Sequence, residues 1–200
     1  MTDHPFPGID RQSLQRRAII GAIVAVATGA LMLILDQSLR ARGAGIVDLE
    51  LADLDRTRSI LRDWGAAGCD AEGFGCTTGD IVWRAKASVL IDFVFLAAYG
   101  LGGAAFLAAL AEGRRDRAPW VPRALGALAW AMLFAAMFDA LENAMLWQVL
   151  VLHPDGFTNV ATASAVTKFA LIGVVLLATP TILLLDGRVR ADEQRETPTS

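Results

Sequence analysis

Four long apolar stretches, each nearly free of charge, alternate with polar segments along the chain. A helix that crosses the roughly 30 Å hydrocarbon core of a bilayer needs about 20 mostly apolar residues. The pattern therefore predicts membrane-spanning helices at about 18–36, 84–111, 123–152 and 160–185. If these four stretches were buried helices of a soluble protein, the rest of the chain would provide too little polar surface to cover them. We expect an all-α fold, a four-helix transmembrane bundle forming a single membrane domain over residues 1–200.

The polar loop at 37–83, between the first two predicted spans, contains a second periodic pattern. Apolar residues recur there at helical spacing: Val47, Leu51, Leu54 and Leu61. Asp48 and Glu50 suit the positive end of a helix, and Gly65 suits its C-terminal stop. We expect an amphipathic helix at about 46–64, with its apolar stripe either on the bilayer surface or on the mouth of the bundle.

Composition alone does not decide between a soluble and a membrane protein, but the distribution of arginine indicates how the chain is oriented in the membrane. The chain is 54% hydrophobic, which is only modestly above the about 45–50% of soluble domains. Cytoplasmic loops carry an excess of Lys and Arg. Arginines cluster before the first span, between the second and third, and after the fourth, whereas the loop at 153–159 has no Lys or Arg. This distribution predicts that both termini are cytoplasmic and that the loop at 37–83 lies outside.

The two cysteines, Cys69 and Cys76, both fall in the predicted outer loop. An oxidising compartment favours a disulfide between them, and free thiols are the alternative. Their spacing matches neither the Cys-x-x-Cys redox pattern nor a complete zinc site.

Ionisable residues inside the predicted spans are the main candidates for a functional site, because each costs about 2.5–3.5 kcal/mol on insertion scales. The candidate site residues are Asp92 and Tyr99 in the second span, Asp139, Glu142 and Asn143 in the third, and Ser164 and Lys168 in the fourth. At 1.5 Å per residue, Asn143 and Lys168 both lie roughly 13 Å from the predicted outer side. Asp92 lies at about the same depth if its helix starts at Trp83, and is shallower if the helix starts at Ala87. Glu142 is near the level of Lys168, and Asp139 lies one turn deeper. We expect these groups to meet in the outer half of the bundle.

Three carboxyl groups in this predicted cluster face one ammonium group. Like charges a few ångströms apart in a poorly solvated site cannot all remain ionised, so the cluster is expected to hold a proton or bind a cation. Three interpretations remain open. The cluster binds a proton, a cation or a polar lipid headgroup; it is the site of a membrane-embedded enzyme acting on a lipid or isoprenoid; or it is a structural salt bridge.

The sequence contains no motif for several common classes of functional site. The only histidines, His4 and His153, do not lie deep in a predicted span, which excludes a haem held by two intramembrane histidines. The chain has no nucleophile elbow, phosphate-binding loop or His-Glu-x-x-His zinc motif. We therefore predict no metal site, no cofactor and no nucleic-acid partner. Membrane lipids are the expected partners, and the sequence leaves the oligomeric state open.

A combination of short motifs resembles a group of small bacterial four-helix integral membrane proteins with no assigned function. The motifs are Asp-Leu-Glu-Leu-Ala at 48–52, Ile-Leu-Arg-Asp-Trp at 60–64, Asp-Phe-Val-Phe at 92–95 with Tyr99, Asp-Ala-Leu-Glu-Asn at 139–143, and Lys168. The resemblance implies a multi-pass protein of the bacterial cytoplasmic membrane and implies no activity. The segment with Cys69 and Cys76 is not part of that pattern. A looser likeness to four-helix sterol-isomerase-like proteins rests on architecture alone.

Overall fold

The computed structural model describes residues 4–64, 81–151 and 157–196, with side chains as far as residue 189. The described chain is helical and contains no strand. Its helices are α1 (Arg11–Arg40), α2 (Ile46–Glu50), α3 (Leu54–Asp63), α4 (Val82–Glu112), α5 (Trp120–Val151) and α6 (Thr158–Glu196). Four of them, α1, α4, α5 and α6, are long and apolar enough to cross a membrane. The prediction of an all-α protein with four membrane-spanning helices is confirmed, although each helix extends beyond the predicted apolar stretch.

The long helices pack in the order in which they occur along the chain. α4 and α5 pack on each other, while α1 packs mainly on α4 and α6 mainly on α5. The two flanking helices therefore expose apolar side chains; Val26 on α1 is 73% exposed and Leu177 on α6 is 75% exposed. Exposing these apolar surfaces to water would be energetically unfavourable, whereas contact with lipid hydrocarbon is favourable. The chain is an integral membrane protein.

The loop predicted to hold one amphipathic helix forms two helices instead. α2 ends at Glu50, and α3 begins after Asp53, whose Oδ1 accepts a hydrogen bond of 2.8 Å from the backbone N–H of Arg56. This side-chain cap satisfies an otherwise unpaired helix N–H, so a new helix starts where the periodic pattern alone predicts continuation. We call α2, α3 and the intervening residues, 46–63, the cap.

The cap lies on the mouth of the bundle. Ile60 and Leu61 on α3 are buried in one apolar cluster with Val89 of α4 and Leu146 of α5. The Thr162 hydroxyl of α6 donates a hydrogen bond of 3.0 Å to the Ala52 carbonyl. Of the two predicted placements, the structure has the mouth of the bundle, but the predicted stripe is wrong in α2. Val47 and Leu51 are exposed there, and Ile46 and Leu49 form the buried face. We refer to this end of the molecule as the cap end and to the opposite end as the arginine-rich end.

Candidate functional site

Lys168 of α6 is at the centre of a buried cluster of charges near the cap end. Its Nζ donates a hydrogen bond of 2.7 Å to Asp139 Oδ1 and lies 2.8 Å from Glu142 Oε2. Asp139 and Glu142 are three residues apart on α5, so they share the helix face that meets α6. The predicted contact between the lysine and these two carboxyl groups is present.

Glu50 adds a carboxyl group that the sequence analysis did not assign to the cluster. It is the last residue of α2, and its Oε2 lies 3.6 Å from Lys168 Nζ. The sequence interpretation had placed Glu50 only at the start of an amphipathic helix. The predicted apolar stripe gives no signal for this position, because Val47 is 40% exposed and Leu51 is 49% exposed in the structure. Glu50 instead shares the buried face of α2 with Ile46 and Leu49.

Tyr99, Asp92 and Asn143 extend the cluster across α4 and α5. The Tyr99 hydroxyl donates a hydrogen bond of 2.9 Å to Asp139 Oδ2, so each oxygen of Asp139 has its own donor. The amide Nδ2 of Asn143 donates a hydrogen bond of 2.7 Å to Asp92 Oδ2. Predicted residues on α4, α5 and α6 are therefore close together in the structure.

Two buried serines accompany these groups. Ser164, a predicted member, lies buried on α6 one turn before Lys168. Ser88, which the sequence analysis passed over, lies on α4 one turn before Asp92; its hydroxyl is buried and has no hydrogen-bond partner in the described part of the chain. A serine in an otherwise apolar helix does not by itself predict a polar site, because its hydroxyl can bond to the backbone of its own helix.

The cluster is almost completely shielded from solvent. The side chain of Lys168 is 6% exposed, and those of Glu50, Asp139 and Glu142 are at most 7% exposed. Within the described side chains, four carboxyl groups, those of Glu50, Asp92, Asp139 and Glu142, face the single ammonium group of Lys168. Burial raises the pKa of Glu50 above its ordinary value, and the attraction of Lys168 offsets this effect only in part.

Glu142 is the least satisfied of these carboxyl groups. Its side chain is fully buried, and its Oε1 has no hydrogen-bond partner among the residues described. The carboxyl group of Glu50 approaches that of Glu142, and both lie within 3.6 Å of the same lysine nitrogen. Two ionised carboxylates have no hydrogen to share, whereas a proton held by either group can be donated to the other.

The described residues contain no group of three or more His, Cys, Asp or Glu side chains arranged to hold a metal ion. The predicted disulfide partners, Cys69 and Cys76, lie outside the described residues, as does His153. His4 lies far from the cluster, at the arginine-rich end, where its Nε2 is 2.8 Å from Glu112 Oε1.

Comparisons of the chain with protein-family models, with curated proteins and with solved structures found no match. The resemblance to small bacterial membrane proteins therefore stays a prediction. Any assignment of function rests on the geometry of the cluster.

Proposed function

We propose that this chain is a membrane protein that binds a proton in a buried acidic site closed by the cap. The observation that carries the proposal is the position of Glu50. A carboxyl group from the cap and a second from α5, on Glu142, lie beside the same ammonium group, that of Lys168. One lysine can balance only one of them.

The hydrogen bonds divide the cluster into two parts with different roles. Asp139 has a donor for each oxygen, Lys168 Nζ and the Tyr99 hydroxyl, and these contacts join α4, α5 and α6. This complete pairing favours a structural role for Asp139, Tyr99 and Lys168. Glu50 and Glu142 share Lys168 with Asp139, and Glu142 Oε1 has no donor among the described residues. A proton shared by the two glutamates would neutralise one charge and supply the missing hydrogen bond.

The cap forms the boundary between this site and the water at its end of the molecule. It is held to α6 by the Thr162 hydrogen bond to Ala52, which lies two residues from Glu50. Movement of the cap would carry the Glu50 carboxyl away from Glu142 and admit water. Proton binding and cap position are therefore linked, as expected for a binding or transport protein rather than for a permanently closed structural core.

The proposed setting is the cytoplasmic membrane of a bacterium. The motif resemblance supports a bacterial source. The arginines near both termini and in the loop between α4 and α5 support an arginine-rich end that faces the cytoplasm and a cap that faces outward.

Infrared spectroscopy of the protein in lipid nanodiscs tests the proposal, because a protonated carboxyl group has a carbonyl stretch that a carboxylate lacks. We expect this band at neutral pH in the unmodified protein and its loss or marked reduction in Glu50→Gln and Glu142→Gln. Asp55→Asn is the matched control, since the Asp55 side chain is 96% exposed. A spectrum without the band at neutral pH, or a band unaffected by both glutamate variants, would leave only the structural role.

A further inference from the structure

A groove separate from the acidic cluster runs between α1 and α4, toward the arginine-rich end. Its walls are almost entirely apolar, and the residues that shape it include Gly21 and Val24 of α1, and Val94, Ala97 and Ala98 of α4. Arg17 also lines the groove, at the end nearest the membrane surface. The groove is open along the face that α1 and α4 present to lipid.

Small residues keep the groove open. Ala97 and Ala98 project only a methyl group, and the backbones of Gly21 and Gly102 come so close that a Cβ on Gly21 would lie 2.6 Å from Gly102 Cα. The two helices therefore meet at their glycines, while the space beside this contact remains unfilled. An open space with apolar walls at membrane depth suits a hydrocarbon chain better than water.

The groove is long enough to cover about two-thirds of one leaflet of a bilayer. From Arg17 to Val24 the helix rises about 10 Å. The hydrocarbon of one leaflet is about 15 Å deep, half of the full core. An acyl chain lying in the groove would therefore extend over most of its own leaflet, with its headgroup beside Arg17.

Arg17 supplies the charge complementarity. It is solvent-exposed at the start of the apolar run of α1 and forms no ion pair with any described side chain. A guanidinium group binds phosphate oxygens through two parallel hydrogen bonds, and positive charge near the membrane surface favours anionic lipid.

We propose that the groove between α1 and α4 binds one acyl chain of an anionic phospholipid whose headgroup phosphate is held by Arg17. The ligand is a bilayer lipid bound selectively, in contrast to the nonselective lipid that surrounds any membrane protein. The lipid site shares no residue with the acidic cluster, so its test does not depend on whether the proposed proton site is correct.

Native mass spectrometry of the full chain tests this site. The protein is released from nanodiscs that contain equal amounts of phosphatidylglycerol and phosphatidylcholine. We expect retention of one phosphatidylglycerol molecule in preference to phosphatidylcholine. Arg17→Gln should reduce this preference about fivefold, the ratio expected from losing one basic side chain near the membrane surface. Ala97→Phe should remove the bound lipid by filling the groove.

Two control variants carry the same chemical changes elsewhere. Arg123→Gln removes an exposed arginine at the start of α5, and Ala170→Phe enlarges an exposed residue of α6. Both should retain phosphatidylglycerol like the unmodified protein. Equal retention of the two lipids by the unmodified protein, an unchanged preference in Arg17→Gln, or the same loss in the controls would each overturn the proposal.

Discussion

Glu50 Oε2 lies 3.6 Å from Lys168 Nζ, and this contact joins a helix of the loop between spans to a lysine inside a spanning helix. The cap is also held by apolar packing, by the Thr162 hydrogen bond, and by the backbone N–H of Ile46, which donates a hydrogen bond of 2.7 Å to Asp36 Oδ1 of α1. Because Glu50 contacts Lys168, the charge state of the acidic cluster affects how firmly the cap is held. The proposed function therefore predicts that the position of the cap changes with the protonation of the cluster.

The first prediction concerns the pairing of Lys168 with Glu142. Lys168→Met leaves buried carboxyl groups without a counter-charge and should lower the free energy of unfolding by about 3–5 kcal/mol. Adding Glu142→Gln should recover part of that loss, because it removes one uncompensated charge. Unfolding of the single and double variants in detergent micelles measures the coupling. Lys86→Met, at a half-buried lysine near the start of α4, is the control and should change stability little. Strictly additive losses would show that Lys168 and Glu142 do not act as a pair.

The second prediction concerns the pH dependence of the cap. The pKa of Glu50 is raised by burial, so the folded cap binds the proton more tightly than the open one does. Its stabilising contribution is fully present below the ordinary pKa of glutamate, about 4.3, and is lost as pH rises through the raised value. The charged groups that face Glu50 are Lys168 and Asp139, with Glu142 beside them.

Hydrogen exchange measures this effect directly. After correction for the intrinsic exchange rate, amides at 46–63 should be less protected at alkaline than at acidic pH. Glu50→Gln should remove most of the difference, whereas Asp55→Asn should leave it unchanged. Protection of these amides that increases with pH in the unmodified protein would contradict the prediction.

The third prediction concerns the contact between α1 and α4. In Gly21→Ala the added Cβ would lie 2.6 Å from Gly102 Cα and 2.7 Å from the Ala98 carbonyl oxygen, both backbone atoms that cannot move aside. Overpacking of this kind costs about 1–3 kcal/mol. Gly173→Ala on α6 is the matched control, because nothing lies within 4 Å of its added Cβ and alanine favours a helix. In thermal unfolding, the melting temperature should fall in Gly21→Ala and rise in Gly173→Ala relative to the unmodified protein. Equal changes in the two variants would argue against close helix contact at Gly21.

The fourth prediction concerns orientation. In a variant whose two cysteines are replaced by serine, a membrane-impermeant thiol reagent applied to intact cells should label Asp155→Cys. It should label Asp116→Cys only after lysis. The expectation follows from the arginine distribution and is independent of the cluster. The reverse pattern of labelling would place the cap and its glutamate on the cytoplasmic side.

The fifth prediction concerns Cys69 and Cys76. Peptide mapping without reduction should recover these residues linked by a disulfide, since both belong to the predicted outer loop. The closed loop is short, so reduction should destabilise the protein by an amount near the lower end of about 2–4 kcal/mol. Recovery of both residues as free thiols from normally exported protein would contradict the prediction.

The sequence by itself determined the spans and most of the acidic cluster. The cost of burying backbone and charge in hydrocarbon makes long apolar runs helical, and helical spacing then decides which polar residues share a face. Helical spacing predicted that Asp139 and Glu142 share a face, with Glu142 near the depth of Lys168 and Asp139 one turn deeper. It also matched Asp92 to Asn143, which are hydrogen bonded in the structure.

Only the tertiary structure decided the place of Glu50 and the packing order of the helices. An amphipathic helix buries the same apolar stripe whether it lies on lipid or on the mouth of a bundle, so its hydrophobic pattern cannot distinguish the two. All four spanning helices are apolar on most sides, so their patterns do not show that α4 and α5 form the centre while α1 and α6 flank them. Both outcomes depend on contacts between segments distant in sequence: the cap against α6, and the glycine backbones of α1 and α4 against each other.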